Sequence, residues 1–288
     1  MNRFHNLAAA TWALLLAGCA LNASTPERQG LALMDETSAC AERLVGDSGG
    51  ASSQLDALNF GIVNWNIQKG KDPEWVHQLT ESDNDADLFI LQEAVAHSED
   101  WDALAADHFR SFSEGFGFGS SVSGVMTLST TRPLAECELV SLEPWFGTRK
   151  ATLVTEYALT TTEQTLLVVN IHGINFTFGV SDLKEQLLKA LAVIAEHQGP
   201  VLFSGDFNTW HGRRAGLLDE VLGRVGLTPL EFRSDYRKRF LGWPLDHIFV
   251  RGLDSIHATT REFDSSDHNP MSVRFRLTNE EGPLTTSL

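Results

Sequence analysis

From Leu58 onward the chain is a succession of short apolar runs closed by polar turns or helical stretches. Phe60–Ile67, Asp87–Gln92, Val122–Leu128, Ala151–Leu159, Thr165–Ile171, Val201–Ser204, His247–Val250 and Met271–Phe275 are predicted strands on that pattern. One stretch has the other period. Leu183, Leu187, Leu188, Leu191 and Ile194 recur at helical spacing, which predicts a helix over Leu183–His197 with a core-facing stripe, and Asp182 with Glu185 resembles a capping box at its start. Further helices are expected through Trp75–Leu79 and Ala215–Val225. Strands interleaved with helices, without a fixed-period repeat, point to one continuous α/β domain over residues 58–277. With 288 residues, 42% of them hydrophobic, the chain can fill a core of that size.

The ends of the chain read differently. Arg3, the apolar run Leu7–Leu16 and then Leu16-Ala17-Gly18-Cys19 form a targeting segment too short to span a bilayer. It resembles a bacterial lipobox, in which Cys19 is acylated after cleavage, so residues 1–19 are expected to be a lipoprotein signal peptide; a signal peptide cut elsewhere is the alternative. The expected location is the bacterial cell envelope, facing the periplasm, attached to the membrane through lipid rather than a helix. The outer membrane is the default, since Ala20 is no retention signal. Residues 20–57 are expected to be a tether, with a short helix over Met34–Leu44 and a flexible connector at Gly46–Ser53, and residues 278–288 a polar tail. Once Cys19 is acylated, Cys40 and Cys137 remain as an even pair in an oxidising compartment. That suggests a disulfide, against the alternative of two separate buried thiols.

Acidic residues outnumber basic ones 38 to 22, giving a formal charge of -16. Such a surface repels polyanions, so phosphate binding here has to be local and metal-assisted rather than the work of a broad basic face.

The chemistry lies where the apolar runs end. Asn64-Trp65-Asn66, Gln92-Glu93, Asn170-Ile171-His172, Gly205-Asp206-Phe207-Asn208, Asp246-His247 and Ser266-Asp267-His268-Asn269-Pro270 each place a carboxylate, amide or imidazole there. Singly, each has a structural explanation as a cap or turn. At the ends of strands in a layered α/β fold, however, such groups converge on one edge of the sheet.

In this order these segments resemble the endonuclease/exonuclease/phosphatase superfamily, which includes DNase I. The strongest pieces are Gly205-Asp206-Phe207-Asn208 and Ser266-Asp267-His268-Asn269-Pro270. The resemblance covers about Phe60 to Phe275 and implies a DNase I-like four-layer α/β sandwich of two packed mixed sheets with outer helices. It also implies Glu93 as the main metal carboxylate, with Asn66 beside it and Asp267 as a further ligand. Mg²⁺ is the expected ion, with Mn²⁺ as the alternative. By the same resemblance Asp206 orients or deprotonates the water, Asn208 bonds a phosphate oxygen, His172 and His268 act as acid, base or charge stabiliser, and Asp246 fixes the tautomer of His268.

His172 argues against the repair-endonuclease branch, which usually lacks a histidine there. Two departures bear on the substrate. Gly173–Gly179 does not match the loop of the better-known branches, and Thr130 stands where a basic residue is usual. Lys69 and Arg149 are the expected replacement phosphate contacts, Arg213-Arg214 and the run Arg233–Arg239 being further cations, the run either a rim for a polyanion or a solvated loop. Trp210, just after Asn208, has a better claim to the cleft than Trp65, expected in the core, or Trp243. The expected function is therefore an exported metal-dependent phosphodiesterase acting on phosphate esters, with nucleic acid ranked ahead of a phospholipid headgroup or a phosphomonoester and no obligate protein partner. A binding protein that kept the fold and lost catalysis is the remaining alternative.

Overall fold

All seven residues of Phe60–Asn66 are buried, which places this strand at the centre of a sheet covered on both faces. Phe60 and Ile62 enter one apolar layer while Val63 and Trp65 enter another, as side-chain alternation requires. The computed structural model describes residues 36–83, 85–98, 101, 107–118, 121–177 and 179–278, without the side chains of Phe118 and Ser121. Cys19, the targeting segment and nearly all of the polar tail lie outside the described residues, as does the start of the helix expected over Met34–Leu44, whose described part is helical at 36–41.

In chain order the strands are β1 (Phe60–Asn66), β2 (Leu88–Val95), β3 (Phe109–Phe118), β4 (Ser121–Ser129), β5 (Ala135–Leu142), β6 (Arg149–Ala158), β7 (Thr165–His172), β8 (Val201–Asp206), β9 (Thr228–Pro229), β10 (Arg239–Phe240), β11 (Trp243–Pro244), β12 (Asp246–Arg251), β13 (Leu253–Thr260) and β14 (Met271–Leu277). The main helices are α1 (Trp75–Ser82), α2 (Ser181–Glu196) and α3 (Gly212–Leu222). One six-stranded sheet runs β13-β14-β1-β2-β4-β3 and the other β5-β6-β7-β8-β12-β9, with β10-β11 a separate hairpin. Each large sheet holds one parallel pair, β1 with β2 and β7 with β8, among antiparallel neighbours. Phe60, Ile62, Leu88, Leu166, Val168, Leu202 and Val273 fill the space between the sheets. α2 and α3 cover the outside of the second sheet, and α1 packs outside the first. The architecture is the four-layer α/β sandwich of the DNase I-like fold.

Besides the two-residue strands β9, β10 and β11, the strands that the apolar runs did not reveal are β3, β5 and β13, and all three are sheet edges. An edge strand needs only one apolar face. β5 shows it: Cys137, Leu139 and Ser141 are buried, while Glu136, Glu138 and Leu142 between and beyond them are exposed. The start of α2 also differs from expectation. Val180 occupies the N-cap position without a capping side chain and Asp182 lies in the first turn, so Asp182 and Glu185 do not form a capping box.

Residues 36–57, expected as part of a tether, are docked along the second sheet. Cys40 is joined to Cys137 of β5 by a disulfide, Cα to Cα 5.4 Å. The Glu36 carboxylate accepts from the Val140 N–H (2.6 Å) and from Lys189 (3.2 Å). Further along, the buried Glu156 carboxylate accepts from the N–H groups of Val45 (2.6 Å) and Gly46 (2.7 Å) and from Thr165 Oγ1 (2.6 Å). A buried carboxylate is costly without such donors, so the connector residues are pinned by the charge they serve.

Beneath one rim the inter-sheet layer turns polar. Gln92 Nε2 donates to Asn64 Oδ1 (3.1 Å) and across the sandwich to Asn170 Oδ1 (2.8 Å). Asn170 Nδ2 in turn donates to the carbonyls of Leu91 (3.1 Å) and Met126 (3.0 Å), and Ser204 Oγ donates to Asn64 Oδ1 (2.8 Å). This buried lattice fixes the ends of β1, β2, β7 and β8 relative to each other.

Candidate active site

Above that lattice the strands deliver their terminal side chains to one place. β1 ends in Asn66, β7 in His172, β8 in Asp206, and β12 begins with Asp246. Glu93 sits where the register of β2 against β4 shifts, with φ +54°. A bulge of this kind re-aims a side chain, and here it turns a carboxylate of a central strand toward the rim. Gly205 is required one residue before Asp206, because a Cβ there would strike the Ile171 carbonyl of the adjacent strand. Asn208 holds φ +52°, a conformation asparagine tolerates better than most residues.

Asp206, almost fully buried, is the hub. Its Oδ1 accepts from the Asn208 N–H at 2.9 Å, and its Oδ2 from Asn66 Nδ2 at 3.1 Å and Asn208 Nδ2 at 3.3 Å. The same Oδ2 stands 3.8 Å from His268 Nε2 and 3.7 Å from His172 Nε2. Both separations exceed a hydrogen bond, so neither imidazole is bonded directly to Asp206. Burial raises the Asp206 pKa and Asp246 adds to it, against His268 and the Asn208 N–H.

The two histidines are in opposite states. His268 Nδ1 lies 2.8 Å from Asp246 Oδ2. Burial disfavours the charged ring, yet Asp246 and Asp206 outweigh burial and lift its pKa to about 10, so it is an imidazolium at neutral pH. Burial, reinforced by Lys150, holds His172 well below the ordinary histidine range. Lys150 Nζ is 2.8 Å from His172 Nε2. An ammonium only donates, so Nε2 accepts and the proton of the neutral ring is on Nδ1.

Lys69 is at the cleft, 3.6 Å from Glu93 Oε2. Arg149 lines its outer part but is exposed, 4.0 Å from Glu138. Its neighbour Lys150 is the cation inside, mostly buried, 3.9 Å from the fully buried Glu143. Burial lowers its pKa while Asp206, Glu143 and Glu93 oppose that shift. Asp267 is exposed beside His268 and adds to the field that keeps it protonated. Trp65 is buried, its Nε1 donating to the His268 carbonyl at 3.0 Å. The cationic run folds on itself: Arg237 and Arg239 both grip Asp235, and Arg237 also donates to the Asp246 carbonyl. Arg237 thus braces β12 and Arg239 its own hairpin, instead of the two forming a free rim.

Glu143 and Gln186 had no signal in the sequence and Arg214 only its charge, because their partners are backbone groups of the 172–176 segment. Glu143 accepts from the N–H groups of Asn175 (2.8 Å) and Phe176 (3.0 Å). Gln186 accepts from the Ile174 N–H (2.8 Å) and donates to the His172 carbonyl (3.0 Å), and buried Arg214 donates to the Ile174 carbonyl. Residues 173–177 of the loop are therefore firmly seated beside His172.

Among the described residues, Asp206, Asp246 and His268 form a buried group whose donor atoms could surround a cation. Chemistry argues otherwise for two of them. His268 Nδ1 and Asp246 Oδ2 are already engaged with each other at 2.8 Å. Glu93 fits better: its carboxylate is partly exposed to the cleft, with Lys69 at 3.6 Å and His172 Nε2 at 4.0 Å. It can offer oxygen to a hard divalent ion, and Asn66 Oδ1, which accepts one N–H from Gln68 at 3.1 Å, retains a lone pair.

The profile of the Endonuclease/Exonuclease/phosphatase family matches residues 63–268. A UPF0294 protein of Vibrio cholerae serotype O1 is 39% identical over 229 residues, 76% of this chain and 79% of the relative. Among solved structures, an endonuclease/exonuclease/phosphatase from Bacteroides vulgatus superposes with a TM-score of 0.60 at 16% identity, covering 76% of this chain and 99% of the other. The human nocturnin catalytic domain with bound sulfate gives 0.60 at 14% identity, covering 78% and 96%.

Proposed function

Because the chain belongs to the endonuclease/exonuclease/phosphatase family, a family of phosphoester hydrolases, we propose that it is a Mg²⁺-dependent phosphodiesterase. One observation carries this reading: His268 Nε2 and the hydrogen-bonded Asp206 carboxylate converge to 3.8 Å, so a proton donor and a proton acceptor front the same point of the cleft. Glu93 and Asn66 would hold the ion, with Mn²⁺ able to substitute. When bound, it would neutralise charge developing on the phosphate oxygens.

The protein groups do the rest. Lys150 and Lys69 place positive charge at the cleft floor, which favours a phosphate there over the carboxylates around it. The Asp206 carboxylate, held by Asn66 and Asn208, receives a proton from the attacking water. Its raised pKa suits that role better than an ordinary aspartate's would. The water oxygen bonds to phosphorus, the P–O bond to the leaving alcohol breaks, and the Nε2 proton of His268 passes to the departing oxygen. Asp246 supports the imidazolium until then. The human nocturnin catalytic domain carries a bound sulfate, an analogue of phosphate.

The reading extends to placement: an envelope lipoprotein acylated at Cys19 and facing the periplasm, the outer membrane being its default membrane, with residues 20–57 leading to the catalytic domain at 58–277. The Leu16-Ala17-Gly18-Cys19 sequence supports it, and fatty-acid labelling that survives Cys19→Ser would oppose it. The catalytic reading is tested with DNA, RNA, phospholipid and small phosphate esters, each with and without Mg²⁺. Turnover of at least one diester that disappears in Asp206→Asn is expected, and an unchanged rate in a folded Asp206→Asn protein would remove this residue from the chemistry.

A further inference from the structure

The solvent-facing lip of the catalytic cleft is apolar. Trp145, Phe146, Phe176 and Phe240 are each more than half exposed, and Leu241 is 79% exposed. They come from three separate segments: the β5–β6 turn, the loop after β7, and the β10–β11 hairpin. Phe146 and Phe176 meet edge to face with centroids 5.9 Å apart. This pair lines both the phosphate cleft and an adjoining slot of about 510 Å³ walled by Trp145, Trp210, Phe240 and Asn208, which holds Asp206. Polar cleft and apolar slot thus share a wall.

The hairpin tip supplies an independent observation. Its two-residue loop is Leu241-Gly242, with φ +49° and +88°. A loop of this shape normally takes asparagine, aspartate or glycine first. Leucine is costly there twice over, by its backbone conformation and by its exposed side chain. An apolar phase over the tip offsets the second cost.

We infer that this lip is a docking surface for a phospholipid bilayer and that the slot receives the glycerol and first acyl carbons of a lipid whose phosphodiester sits in the cleft. The inference rests on the phosphodiesterase reading and names its substrate class. Aromatic and aliphatic side chains at loop tips suit the headgroup boundary. A formal charge of -16 disfavours both nucleic acid and anionic membranes, which leaves a zwitterionic surface as the matching partner. The Cys19 anchor expected from the sequence would hold the lip near such a surface. In the reaction, water adds to phosphorus, the P–O bond to the glycerol oxygen breaks, the water proton goes to Asp206 and the His268 proton goes to the diacylglycerol oxygen, leaving a phosphorylated headgroup.

The test compares turnover on vesicles of phosphatidylethanolamine and phosphatidylcholine with turnover on soluble bis(p-nitrophenyl) phosphate and on single-stranded DNA, using the full chain. The ratio of vesicle to soluble-diester turnover should fall roughly tenfold or more in Leu241→Asp and hold in Leu241→Phe. An unaltered ratio in Leu241→Asp, or cleavage of the soluble diester or DNA without cleavage of vesicle lipid, overturns the docking surface and leaves the phosphodiesterase standing. Absence of turnover on all three substrates overturns both.

Discussion

His268 Nδ1 and Asp246 Oδ2 lie 2.8 Å apart, both buried, and this contact sets the protonation of the site. With the His268 pKa raised to about 10, its ring should show no titration by NMR between about pH 6 and 8. In Asp246→Asn the midpoint should drop by at least about one unit, because the neutral amide no longer supports the charge. A wild-type ring titrating near the ordinary histidine value of about 6.5 would contradict this account.

The same shift has a sign in stability. The folded protein holds a proton that the unfolded chain releases near pH 6.5, so the stabilisation is complete below that value. It declines as pH rises and is lost once pH passes about 10. Urea unfolding at a series of pH values should show this decline in wild type and a shallower one in Asp246→Asn. Parallel curves would mean that His268 is not the group responsible.

Lys150 should matter far more than Arg149. Lys150→Met removes the donor to His172 and the countercharge of buried Glu143, and should lower kcat by roughly 10²–10³-fold, the scale for one lost charge-stabilising donor. Arg149→Ala, at an exposed position 4.0 Å from Glu138, should change kcat/KM by less than about fivefold. Equal effects of the two substitutions would reverse the assignment.

The Cys40–Cys137 bridge spans 97 residues. On the chain-entropy account it stabilises by roughly 5 kcal/mol at most, so Cys40→Ser should lower the melting temperature by several degrees. Mass spectrometry of the unreduced protein should find Cys40 and Cys137 without free thiols.

The central strands and the catalytic segments were legible in the sequence because they satisfy two demands at once. A strand covered on both faces is largely apolar, and a functional group at its end then stands out, as Asn66 does at the end of β1 and Asp206 at the end of β8. Edge strands such as β5 carry half that signal. Neither did the chain order reveal that Lys150, rather than Arg149, turns inward, or that Glu143 and Arg214 clamp a loop through its backbone. Such contacts depend on tertiary approach, and the residue types alone do not specify it. Asp182 shows the converse: its capping pattern yields to the path of the chain through Val180.

The central claim is that distant acids and imidazoles form one divalent-ion phosphodiesterase site. It is tested most directly by titrating Mg²⁺ into chelator-stripped protein while following hydrolysis of a phosphodiester, in wild type and Glu93→Gln. Wild type should be inactive without the ion and regain its rate with Mg²⁺, and Glu93→Gln should need at least about tenfold more Mg²⁺ for half its maximal rate. Full activity in the stripped protein, or identical Mg²⁺ curves for the two proteins, would contradict the account.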